Sequence, residues 1–145
     1  MLPVIPLDSG GVATWPQLKH AEGWRQVNEG RDGTIKYGLV AVQGVSPASN
    51  SSGSLPVLVF DVTTTAAAQM LVGYLRSYEN MGVASIAVDG KWTLSVDGMW
   101  SSRTSQYCSE LILLPSAGTH TVTVTLIAAE DRGLNKFKIL DIVVY

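Results

Sequence analysis

Residues 119–127 read Thr-His-Thr-Val-Thr-Val-Thr-Leu-Ile. From residue 121 onward, small polar Thr alternates with apolar residues one for one. Side chains on a strand point to opposite faces with a period of two, so such a segment has one wet face and one dry face. A helix would scatter the same residues around its circumference. The β-branched composition also suits a pleated, half-buried surface. One strand with a dry face needs partners and a second layer to bury it.

The partners lie on either side. Pro115 to Gly118 form a turn before the segment, and 107–114 precede it as another strand. The C-terminal run 136–145 (KFKILDIVVY) is a last strand. Upstream, 83–89 and 91–97 flank Asp89-Gly90, a strong signal for a tight hairpin. Segments 39–43, 55–62 and 70–78 add three more, and the Ser-rich 47–54 is a loop. The stretch 63–70 (TTTAAAQM) admits a single helical turn. About eight strands at this spacing predict an all-β antiparallel sandwich of jelly-roll type, with helix below about a tenth of residues. Pro3, Pro6, Gly10, Gly11 and Pro16 break up the start of the chain, so 1–22 are expected to form an irregular arm and 23–145 one sandwich domain. Phe60, Leu75, Ile86, Val122, Val124, Phe137 and Ile139 are the expected core.

Bulk properties narrow the function. The chain has 145 residues, 46% hydrophobic and only 15% charged, against roughly 25% charged in an average soluble domain. A net charge of −2 with scattered Lys and Arg leaves no basic stripe for nucleic acid. The longest apolar runs, such as 55–60 and 111–115, fall far short of the roughly 20 residues that a membrane helix needs. The opening MLPVIPLDSGG lacks the basic and apolar regions of a signal peptide. Cys108 is the single cysteine, which excludes an internal disulfide and reads as a small buried hydrophobe on a strand. Asn50-Ser51-Ser52 has the form of a glycosylation sequon.

Chemistry-bearing residues are few. His20 lies in the leader, and His120 opens a strand as a hydrogen-bonded strand-end residue. No Ser stands in a nucleophile-elbow pattern. Asp89 and Asp97 each precede a glycine and are explained by turn chemistry. No two carboxylates suggest a glycosidase pair, and there is no Cys/His cluster for zinc. A non-catalytic protein is expected.

Aromatic residues point further. Alternation along 70–78 puts Tyr74, Arg76 and Tyr78 on one face, opposite Leu71, Leu75 and Ser77. Flat rings stack on the C–H faces of sugars, and a guanidinium supplies fixed donors to hydroxyls. Trp100 follows a turn and is expected to be exposed with Arg103 nearby, whereas Trp92 shares a face with Leu94 and Val96 and reads as core. The same residues also fit a sealed amphipathic patch in which Arg76 pairs with Glu79 or a backbone carbonyl.

GTHTVTV at 118–124 followed by FKILDIVV at 137–144 resembles the end of carbohydrate-binding modules with the galactose-binding-like jelly roll. That resemblance implies a structural calcium held by Glu22 near the start and Asp141 in the last strand. Gly23-Trp24, Glu29-Gly30, Lys36-Tyr37-Gly38, the block YLRSYENMG at 74–82, Asp97-Gly98 with Trp100, and Phe137-Lys138 are similar to the β-sandwich domain that follows the hydrolase domain of plant and algal SGNH-type (GDSL-like) proteins. The hydrolase block is absent, so no catalytic residue carries over, and 86–96 lack the cysteines of that domain.

Two functions follow as expectations. One is a glycan-binding, lectin-like module using Tyr74, Arg76, Tyr78, Trp100 and Arg103. The other is a structural jelly roll (coat, capsid or cell-wall component) contacting protein subunits or further copies of itself. A hydrolase would need a hidden triad. Either of the first two fits an extracellular, cell-wall or virion setting.

Overall fold

A computed structural model describes residues 17–30, 32–34, 37–43, 54–127 and 135–145. The remainder of the expected arm, the sequon at Asn50 and most of the 47–54 loop lie outside these residues, as does the side chain of Trp92. The described chain is all-β, an antiparallel jelly-roll sandwich. In order, its strands are β1 (Gln17–Glu22), β2 (Trp24–Asn28), β3 (Tyr37–Gln43), β4 (Val57–Thr64) and β5 (Gln69–Arg76). Then come β6 (Val83–Val88), β7 (Lys91–Asp97), β8 (Gln106–Leu113), β9 (Gly118–Ile127) and β10 (Asn135–Val144). One sheet runs β1-β4-β9-β6-β7 and the other β2-β3-β10-β5-β8. No helix among the described residues is long and apolar enough to cross a membrane.

The Thr/Val segment is the centre of the first sheet, as β9. His120, Val122, Val124 and Leu126 face inward, and Thr121, Thr123 and Thr125 face out. Asp89-Gly90 forms the β6–β7 hairpin, with both residues at positive φ. Phe60, Ile86, Val122, Val124, Phe137 and Ile139 are buried as expected, and Cys108 packs half-buried against them.

Three expectations change. Residues 17–22, expected to be irregular, form β1, which pairs with β4 from Gln17↔Asp61 to Glu22↔Val57. The chain then passes to the other sheet through Gly23 alone. Its φ is +72°, and a Cβ there would stand 2.9 Å from Cβ of Pro56, so only glycine makes this corner. The 63–70 stretch holds no helix: Ala68 closes a turn onto the carbonyl of Thr65 (3.0 Å). The phase of β5 is the reverse of that expected, as described below.

A polar clasp closes one end of the first sheet. His120 Nδ1 lies 2.7 Å from Asp89 Oδ2, and its Nε2 lies 2.8 Å from the carbonyl of Ser116. Both partners are acceptors, so the arrangement is best satisfied by the doubly protonated ring. The Asp89 hydrogen bond, then that to Ser116, raises the His120 pKa above the ordinary imidazole value. His120 in turn holds the Asp89 carboxyl below its usual range. The His120 contribution is complete below about pH 6.5 and is lost as pH rises through the raised value; that of Asp89 is lost only as pH falls through the lowered one. Unfolding free energy should therefore drop on the alkaline side, and His120→Gln should flatten that limb while costing about 1–2 kcal/mol near pH 6. Denaturant titrations at pH 6 and 9 check this, and an unchanged pH slope in the variant would refute it.

Candidate functional site

The block 74–82 forms the corner on which the site is built. Ser77 N–H donates to the carbonyl of Gly98 (2.9 Å), and Trp100 N–H donates to that of Ser77 (3.1 Å). Gly98 N–H donates to the carbonyl of Gly82 (3.0 Å), and Lys136 N–H donates to that of Asn80 (2.7 Å). Met81 is buried as a plug. These bonds tie the β5–β6 connection to the β7–β8 loop and to β10, and Tyr78 and Glu79 there line two clefts.

The first cleft, at the end of the sandwich, has a volume of ≈ 590 Å³ and is lined by Tyr78, Glu79, Met99, Trp100, Ser101 and Arg103. Trp100 is its fixed wall. The indole N–H donates to the carbonyl of Thr104 (2.7 Å), and the Arg76 guanidinium lies 5.9 Å from the ring centroid in cation–π position. Arg76 is itself tethered through Nε to the carbonyl of Met99 (3.4 Å), the pairing that the sealed-patch reading anticipates. The loop start is set by Asp97, whose Oδ1 accepts from Met99 N–H (2.9 Å). Glu79 and Arg103 add a carboxylate and a guanidinium to the rim, so the cleft offers one oriented ring flanked by polar groups of both kinds.

Four of the five expected ligand residues, Arg76, Tyr78, Trp100 and Arg103, thus come together. Tyr74 does not. It is 5% exposed, stacks on Phe137 with centroids 5.7 Å apart, and donates to Glu110 at 3.3 Å. Burial, then the neighbouring Glu110 charge, pushes its phenol up to about 12. The inward row of β5 is Met70, Val72 and Tyr74, which leaves Leu75, expected in the core, half-buried on the outer face. Tyr78 is not on β5 at all but in the connection after it.

The second cleft, ≈ 660 Å³, lies on the outer face of the second sheet. Tyr37, Leu75, Tyr78, Glu79 and Tyr107 line it, with Leu140 and a charged triad. In that triad the Glu29 carboxylate accepts from Lys136 and from Lys138, the latter at 2.8 Å. Burial pushes the Glu29 carboxyl up, but the two lysine hydrogen bonds outweigh it and hold it below its usual range. Lys138 can lie down because Gly38 leaves room: a Cβ there would be 2.4 Å from Lys138 Cε. These pairings span more than a hundred residues, and no local pattern announces them.

The two residues that the resemblance offers for calcium lie on different sheets. Glu22, on β1 of the first sheet, hydrogen-bonds Ser54 and lies 3.6 Å from His20 Nε2. Asp141, on β10 of the second sheet, accepts from the Tyr107 hydroxyl (3.1 Å). Among the described residues no group of three or more His, Cys, Asp or Glu is arranged to hold a metal.

No family model matches the chain, and no curated protein matches it. Solved structures do. A two-domain esterase (CEX) active on acetylated mannans, co-crystallised with mannopentaose, is 18% identical with a TM-score of 0.64, over 86% of this chain and 33% of that one. A Paenibacillus xanthan lyase is 12% identical with a TM-score of 0.57, over 88% of this chain and 12% of that one. A family 35 carbohydrate binding module from an environmental isolate is 16% identical with a TM-score of 0.56, over 91% of this chain and 88% of that one. The chain therefore spans about a third of the esterase, a small part of the lyase and nearly all of the binding module. At these identities the likeness is one of fold.

Proposed function

We propose that this domain is a non-catalytic glycan-binding module whose sugar site is the end cleft at Trp100. The observation that carries the reading is the indole itself, held in one orientation by Thr104 and Arg76 and turned to a cleft rimmed by Tyr78, Glu79 and Arg103. A fixed ring costs little entropy when a sugar stacks on it, and the flanking carboxylate and guanidinium match hydroxyl groups. The fold match to a carbohydrate binding module over nearly its whole length supports the reading, as does the match to part of an esterase crystallised with mannopentaose. Kinship with the accessory domains of SGNH-type hydrolases belongs to the same proposal: such a module holds a catalytic partner on its substrate. A glycan array probed with the purified domain, with and without added calcium, tests it. Binding to a defined glycan class that Trp100→Ala abolishes is the expected result; no binding in either condition overturns it.

One observation favours the structural reading instead. Edge strand β8 exposes Tyr107, Leu111 and Leu113 in a row, Leu113 at 69%. Sedimentation of the wild type against Leu111→Ser/Leu113→Ser decides whether that row holds copies together.

A further inference from the structure

Tyr107 lies across the outer face of the second sheet in an unusual way. It stands opposite Leu75 on β5, and its hydroxyl reaches over Gly73 to donate to Asp141 on β10. A Cβ at Gly73 would be 2.6 Å from that hydroxyl and 2.2 Å from Asp141 Oδ1. The missing side chain is therefore what lets the ring cross the neighbouring strand close to the sheet, and the Asp141 bond pins its far end. Despite this, Tyr107 remains 53% exposed. The ring is held down yet open to solvent, the condition for a stacking platform.

Tyr107 shares its cleft with Tyr37, which is also exposed, and with Tyr78. Tyr78 and Glu79 line the end cleft as well, so the two clefts share these two side chains. The charges along the face cleft offset one another: Lys136 and Lys138 against Glu29 and Glu79. With Asp141 engaged by the Tyr107 hydroxyl, these offsetting charges leave little pull for an ionic ligand, and the face suits an uncharged chain.

Building on the proposed sugar site, we infer that the face cleft takes further units of the same glycan: an extended neutral oligosaccharide runs from Trp100 over Tyr78 onto Tyr107. The domain then recognises a length of chain rather than a single terminal sugar.

Calorimetry with mannan-, xylan- and glucan-derived oligosaccharides of one to six units tests this. The hexasaccharide of the bound series should bind at least about tenfold tighter than the disaccharide, as expected when ordered aromatic contacts are added. Tyr107→Ala should remove most of that gain and change disaccharide binding less than about twofold. Gly73→Ala should do the same, because the added methyl displaces only the ends of two side chains and leaves the melting temperature near that of the wild type. If oligosaccharides bind equally at all lengths, or the gain survives both substitutions, the face cleft is not part of the site, while the end-cleft reading stands. If no oligosaccharide of any length binds, both fall together.

Discussion

Phe137→Ala is expected to cost the fold about 3–5 kcal/mol, lowering the melting temperature by roughly 10–16 °C. Phe137 is 1% exposed and sits on β10, which lies between β3 and β5 in its sheet. Truncation removes a large apolar side chain and leaves a cavity, and it strips the stacked partner from Tyr74. Tyr74 cannot fill the gap easily, because its hydroxyl is anchored to Glu110 on β8. Denaturant unfolding of the two proteins measures the difference. A loss under about 1 kcal/mol would mean that the inward face of β10 is misassigned.

Trp100→Ala should lower affinity for the bound glycan about thirtyfold or more, and leave the unfolding transition almost unmoved. The indole lies on a loop outside the hydrophobic core, so its loss opens no core cavity. Arg76→Ala keeps the ring but removes the cation beside it and the tether to Met99. Its effect on affinity should be smaller, near tenfold, and Arg76→Lys should recover part of it, since an ammonium keeps the cation–π contact but not the Nε bond. Tyr74→Ala is the contrasting control, because a core tyrosine lost costs stability first. Affinity and melting temperature measured on the same four variants separate these outcomes. A Trp100→Ala protein that unfolds early, or binds as well as the wild type, would remove the indole from the site.

Much of the architecture was legible along the chain, because strand faces follow a period of two wherever one face is plainly polar. The Thr/Val alternation of β9 could pack in only one phase; Phe60 of β4 and Ile86 of β6 also turn inward, though their outward rows include Val57, Val59 and Val83. The Asp89-Gly90 turn was equally local, since its backbone needs residues that tolerate positive φ. The segment 70–78 carried no such instruction. Leu71 and Leu75 compete with Met70, Val72 and Tyr74 for the interior, and only packing between the sheets chose the second set. That choice buried Tyr74 and turned Leu75 out to the face cleft.

The site needed the tertiary structure for a related reason. Tyr78 and Trp100 stand out in the sequence as aromatics with Arg76 and Arg103 near them, but their meeting depends on Ser77 bonding to Gly98 and Trp100 across two connections. The face cleft depends still more on distant pairings: Glu29 with Lys136 and Lys138, and Tyr107 with Asp141 over Gly73. What the sequence by itself determined was which strands exist and, where one face was polar, which way they face. Which side chains share a cleft was decided by register and sheet order, which are properties of the packed sandwich and of no single segment.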